Sequence, residues 1–151
     1  MPLISNVRRR QMPWLVVVKL LWATPCSAIG LLLAVLPLAL GGKAVWRRGA
    51  LEVTYRQSQA SCGKLARALP FRGIVFGHVI LAVTHEELCR IGPHERVHVE
   101  QYEFWGPFFL PAYGLSSLWQ LLHGRSPYWY NYFEVQARQR SSEAHSARGG
   151  V

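Results

Sequence analysis

Two of the six histidines in this 151-residue chain flank a glutamate, in the order His94-Glu95-Arg96-Val97-His98. The segment reads as helix, and positions four apart lie one turn above each other, so His94 and His98 share a face. Two imidazoles stacked in this way can hold one zinc ion, and Glu95 falls on the flank, where it can take a proton from water activated by the metal. The bland reading is a surface helix with two solvated histidines. The helix wheel speaks against it. Arg96, Glu100 and Glu103 gather on one side, the expected wet face. His94, His98, Gln101, Tyr102 and Trp105 fall opposite, with Phe104 and Val97 beside them, on a face that should be buried. Histidines on a buried face need partners, and a metal suits both.

Zinc needs a third protein ligand, with the fourth position left open in a catalytic site. Glu134 is the first choice, past an intervening helix and near the start of a helix of its own. Its structural reading is a capping box, Asn131-x-x-Glu134, in which the carboxylate bonds back to the Asn131 N–H. The alternatives are His78, on a strand, and His123, at the end of an apolar helix where a cation suits the dipole. Donors for a developing oxyanion would come from Tyr128, Tyr130, Tyr132 or His123, although aromatic residues in such a loop also serve as membrane-interface anchors. No other catalytic set competes. The chain has no G-x-S-x-G and no Gly-rich phosphate loop before a helix, and its cysteines lack a suitably placed base.

The elements that must position these groups are legible in outline. Residues 1–12 carry Arg8, Arg9 and Arg10 ahead of an apolar run, Trp14 to Leu40, that only Lys19 interrupts with charge. It exceeds the ~20 residues that cross a bilayer, and Pro25, Gly30 and Pro37 favour a kinked span or a tight helical hairpin. A membrane segment is therefore expected at 13–41. Leu51–Tyr55 alternates as a half-buried strand. Residues 56–72 read as loop, with one helical turn at 64–68. Residues 73–83 form the strongest strand, and Gly77 inside it marks a bulge or a close backbone approach. Thr84 opens a short helix with Glu87 completing a capping box. Gly92 stops that helix and Pro93 starts the histidine helix. Gly106-Pro107 breaks the latter, and an apolar helix follows from about Pro111 to His123, packed on the N-terminal span or lying in the headgroup layer. An aromatic loop at 126–130 leads to a last helix, and a polar, disordered tail begins at 139. The fold class is α+β. It comprises an N-terminal membrane helix, a small antiparallel β-hairpin and a 49–138 domain in which the histidine helix precedes the apolar helix.

Seventeen Lys and Arg against eight acids, none of them Asp, give a net charge of +9. Basic residues sit at the ends and beside the apolar run, which suits an anionic membrane surface. No Lys/Arg stripe with interleaved aromatics appears, so nucleic acid is not an expected partner. Cys26, Cys62 and Cys89 are odd in number and without C-x-x-C spacing, and read as free thiols.

The stretch His94-Glu95-Arg96-Val97-His98-Val99-Glu100-Gln101, joined later by Asn131-x-x-Glu134-x-x-Ala137, resembles the gluzincin branch of the zincin metallopeptidases. With Trp105-Gly106-Pro107-Phe108 added, it is more closely similar to small membrane-associated bacterial proteins of largely uncharacterised function. The resemblance covers about residues 74–138. It implies a zincin-like domain with one zinc ion held by His94, His98 and Glu134, Glu95 as general base, and the 74–83 strand beside the histidine helix as the edge where an extended peptide binds. Gluzincins commonly carry an acid four positions after the third ligand, supporting the first histidine. Here that position is Arg138. The expectation is a membrane-anchored zinc metallopeptidase-like protein of the bacterial cytoplasmic membrane, with lipid and a peptide or protein substrate as partners. The alternative is a non-catalytic membrane protein in which the motif is structural or holds zinc to brace the fold.

Overall fold

A computed structural model describes residues 13–56 and 72–149. The basic head, Cys62 and the helical turn expected at 64–68 lie outside the described residues. The chain runs α1 (Pro13–Ala39), β1 (Lys43–Arg47), β2 (Ala50–Arg56), β3 (Gly73–Phe76), β4 (Val79–Thr84), α2 (His85–Trp105), a 3-10 turn (Gly106–Phe108), α3 (Phe109–Leu122) and α4 (Tyr132–Gly149). The class is α+β, as expected: three helices, a small four-stranded sheet and one N-terminal helix long and apolar enough to cross a membrane.

Helix α1 is one unbroken helix with Pro25 and Pro37 inside it, not a hairpin. The reason lies on its inner face. Ala23, Cys26, Gly30 and Ala34 recur at helical spacing and are buried, and this stripe runs on across Pro25. Small side chains there let the sheet approach closely: a Cβ at Gly30 would stand 2.7 Å from the Val79 Cβ. A hairpin would pull half of the stripe off the sheet.

The sheet order is β1-β2-β4-β3, with β2 and β4 parallel and the other pairs antiparallel. The single strand expected over 73–83 is two, folded back with Val75 opposite Ile80. Gly77 sits in the turn at φ +58, and a side chain there would strike Ser27 of α1. The glycine thus marks a chain reversal as well as a close approach, and the adjoining His78 N–H donates to Ser27 Oγ at 3.0 Å.

Helix α2 starts as its sequence dictates, with Thr84 Oγ1 accepting from the Glu87 N–H at 3.0 Å. It does not stop at Gly92. One helix runs through Pro93 to Trp105. A proline leaves the carbonyl four residues back without its donor, and here that residue, Cys89, is exposed like Pro93 itself, so the freed group lies on the solvent side of the helix. The apolar helix α3 begins at Phe109 and ends at Leu122, slightly ahead of expectation. Helix α4 continues to Gly149, through the stretch expected to be a disordered tail. Helix formers such as Ala137, Gln139, Arg140, Glu143 and Ala144 carry it, and Arg140 pairs with Glu100 of α2 at 3.1 Å.

The core lies between the sheet, the inner face of α1, and helices α2–α4, with Ile80, Leu88, Val99, Tyr102, Phe109 and Phe133 at its centre. Phe109 meets Tyr102 in a tilted pair at 4.3 Å and Phe133 edge-to-face at 5.0 Å, each pair adding about 1 kcal/mol beyond simple burial. The buried face expected for α2 ends with Tyr102, whose hydroxyl donates to Val75 O at 3.2 Å. Phe104 and Trp105 are 79% and 39% exposed. The last turn of α2 meets α1 instead of the sheet. Glu103, expected on the wet face, takes Lys19 at 2.8 Å and His78 at 3.4 Å, and Trp22 Nε1 donates to the Phe104 carbonyl at 3.3 Å.

Candidate metal centre

Helix α2 places His94 and His98 one turn apart, and α4 brings Glu134 across to both. His94 Nε2 lies 3.1 Å from Glu134 Oε2 and 3.1 Å from His98 Nε2, and His98 Nε2 lies 3.3 Å from Glu134 Oε1. These groups could hold a metal ion. A tetrahedral ion with bonds of ~2.0–2.1 Å has ligand-to-ligand edges of roughly 3.3 Å; the two imidazole nitrogens stand close to that spacing, and each faces a different Glu134 oxygen. Glu134 does not close a capping box. Asn131 caps α4 by itself, its Oδ1 accepting from the Phe133 N–H at 2.9 Å, which leaves the Glu134 carboxylate free for the histidines.

The surroundings hold the ligands in place. His98 Nδ1 faces Gln101 Oε1 at 2.7 Å. The Gln101 amide is itself oriented, donating to Phe133 O at 3.1 Å and Gln136 Oε1 at 2.8 Å. Its oxygen must therefore accept from His98, which keeps a proton on Nδ1, so that when the ring loses its other proton the Nε2 lone pair faces the site. Tyr113 of α3 donates to Glu134 Oε1 at 2.9 Å. Arg138 Nη1 stands 3.9 Å from Glu134 Oε2, and Arg138 also donates to the Trp129 carbonyl. At the position where gluzincins commonly carry an acid, this chain thus has a cation that leans on the third ligand.

Charge follows this geometry. Burial pushes the Glu134 carboxyl up, but hydrogen bonds from His94 and His98 outweigh it and hold the group well below the usual range. Burial pulls His98 down, and the bond to Glu134 and its charge, with the Gln101 bond and the Glu95 charge, together outweigh that and leave it raised. For Glu95 burial wins: the carboxyl is raised despite the pull of His98 and His94. Tyr113 and Tyr128 are both raised, by burial first and then by the Glu134 charge. Glu95 lies against the start of β3, where a Cβ at Gly73 would sit 3.1 Å from its Oε1. Gly73 therefore leaves the carboxylate room.

A cavity of about 270 Å³ opens beside the ligands, lined by Gly73–Phe76 of β3, by His94, Glu95, His98 and Glu134, and by Leu110, Tyr113 and Tyr128. Of the expected donors only Tyr128 lines it. Tyr130 and Tyr132 are exposed and absent from its walls. His123 is exposed and sits on the Trp119 carbonyl at 2.7 Å. His78 belongs to the Glu103 and Lys19 cluster. Sequence reasoning missed Tyr113, because α3 reads as uniformly apolar. The available signal was Tyr113-x-x-Ser116-Ser117-x-x-Gln120, a polar stripe at helical spacing within that helix. Gln101 was seen as part of a motif but not as the group that orients His98. Cys26 is buried and Cys89 exposed, both as free thiols.

No family model matches this chain, and neither does any curated protein or solved structure.

Proposed function

We propose that this chain is a membrane-attached, zinc-dependent peptidase of gluzincin type. The observation that carries the reading is the convergence of His94 Nε2, His98 Nε2 and a Glu134 oxygen, all within 4.8 Å of one another, with Glu95 buried beside them. Two imidazoles and one carboxylate, with one side left toward a cavity, are the donor set that zinc takes in hydrolytic sites. When bound, zinc supplies Lewis acidity that polarises a carbonyl and acidifies a water. Glu95 takes the water proton and delivers it to the leaving amine, and its raised carboxyl suits both halves of that task. Tyr113 and Tyr128 supply hydroxyls in the cavity. Among the described residues β3 is an edge strand of the sheet, so an extended peptide can pair with its outer edge and lie across the mouth.

A second reading, in which zinc braces α2 against α4 without catalysis, is favoured by one observation: Arg138 beside Glu134, where an acid would strengthen the site. Metal analysis of the purified chain together with Glu95→Gln separates the two. The peptidase reading expects one zinc per chain in both proteins, and peptide hydrolysis that falls by about 10²–10⁴-fold in the variant. Zinc retained by a wild-type chain that cleaves no peptide would leave only the bracing role.

A further inference from the structure

Helix α3 is built inside out. Its inward stripe, Phe109, Ala112, Tyr113, Ser116, Ser117 and Gln120, carries every polar side chain of the helix. Its exposed face is Leu110, Pro111, Gly114, Leu115, Leu118, Trp119, Leu121 and Leu122, all apolar, with Leu122 73% exposed. A helix facing water shows the reverse pattern, and an exposed apolar face of this kind marks an interaction surface. Between Phe104 and His123 no residue is charged.

The same surface continues onto α1. Trp22, on the exposed side of α1, meets Phe108 with ring centroids 6.0 Å apart, and both are exposed. From there the apolar outer face of α1 runs on through Leu15, Leu21, Leu32 and Leu36. At the far end of α3, the exposed Tyr128, Trp129 and Tyr130 follow Arg125, in the order of an interfacial aromatic belt next to a phosphate-seeking cation. At 14 residues α3 is about 21 Å long, too short to cross a ~30 Å hydrocarbon layer. It is long enough to lie in the interface.

We infer that α3 and the aromatic turn after it form a second lipid-contacting surface, continuous with α1, and that the cavity takes extended polypeptide adjoining the bilayer. Leu110 and Tyr128 belong both to the exposed surface and to the cavity wall, so lipid lies at the cavity mouth. The lipid contact stands on the apolar face alone, whereas the substrate class rests on the peptidase reading.

The test uses the full chain in phosphatidylcholine–phosphatidylglycerol vesicles, with Cys26, Cys62 and Cys89 changed to Ala and a nitroxide on Leu118→Cys, Leu122→Cys or Glu143→Cys. Labels at 118 and 122 collide several-fold more with oxygen than with a water-soluble nickel chelate, and the label at 143 does the opposite. Labels at 118 and 122 that follow the one at 143 overturn the lipid contact. So does shielding from both reagents with spin–spin broadening, which indicates a second copy of the chain. In a second arm, one cleavable sequence is offered as a free peptide and joined to an apolar membrane helix. The joined form shows at least a tenfold higher kcat/KM, and Leu118→Glu with Leu122→Glu removes that advantage while leaving zinc content and free-peptide cleavage unchanged. Equal rates for the two forms overturn the substrate class alone. Cleavage of neither, with zinc bound, overturns the peptidase reading and the substrate class together, and leaves the label result to decide the lipid contact.

Discussion

His98 faces two acceptors, Gln101 Oε1 on Nδ1 and Glu134 Oε1 on Nε2, and only the protonated ring donates to both, so its protonation links any metal binding to stability. In the metal-free protein His98 is raised above its ordinary 6.5, so its pairing is worth most below that value and is lost as pH rises through the folded one. Glu134 is depressed below its ordinary 4.5, so its contribution is present above that value and lost as pH falls through the folded one. Both hold between pH 4.5 and 6.5. Glu134→Gln should therefore lower the melting temperature of chelator-treated protein more at about pH 5.5 than at about pH 8.5, which thermal unfolding in detergent at the two values will measure. A metal ion held there would have to displace the His98 proton, so its affinity should follow the opposite trend and strengthen with pH. His94, Glu95, His98 and Glu134 were legible because two signals fix them, the four-residue spacing and a carboxylate placed near a helix start. Tyr113 was not, because which way a long apolar helix turns its one tyrosine is decided by tertiary packing. Tyr130 and Tyr132 were indistinguishable from Tyr128 in sequence and differ only in which way the turn points them.

Among the elements, the boundaries that side chains write were the readable ones. Thr84 with Glu87 marks the start of α2, and Gly106-Pro107 marks its end. What the sequence could not show was competition: Pro93 is a helix breaker by propensity, yet packing of α2 on both the sheet and α4 outweighs its cost of about 3 kcal/mol. The split of the 73–83 strand was hidden because the apolar run continues through a two-residue hairpin loop, Gly77-His78, whose positive-φ glycine also sits against Ser27 of α1. Gly106 is the sharpest case of such a contact. It sits at φ 55, ψ −131, a region open to glycine, and a Cβ there would enter the Trp22 ring. Gly106→Ala should cost about 2–4 kcal/mol, from overpacking and strain together. Gly114→Ala in α3, with nothing within 4 Å, should gain about 0.5–1 kcal/mol. Thermal unfolding of the two variants side by side is the check.

Taken whole, the molecule does not divide into an anchor and a domain. Ala23, Cys26 and Ala34 of α1 are as deeply buried as any residue of the sheet, and they cover Val53, Val79 and Ile80. Composition marked α1 as long and apolar enough to cross a membrane, but nothing in an apolar run tells outward-facing positions from sheet-facing ones except the small-residue spacing, visible once the sheet is in place. A chain begun after residue 42 should therefore fail to fold rather than yield a soluble enzyme, with no cooperative melt and no stoichiometric zinc by metal analysis. A folded, zinc-loaded fragment would show α1 to be a mere tether. The clasp between α1 and the end of α2, Lys19 on Glu103, Trp22 on the Phe104 carbonyl and Cys26 beside the Gly106 carbonyl, has a mechanical corollary. Once α1 is seated in a bilayer, any mismatch between its length and the thickness of the surrounding acyl chains is relieved by tilting. On the proposed membrane-attached reading, that tilt would lever on the same rod that carries both imidazoles, so metal affinity and hydrolysis should shift with the thickness of the bilayer.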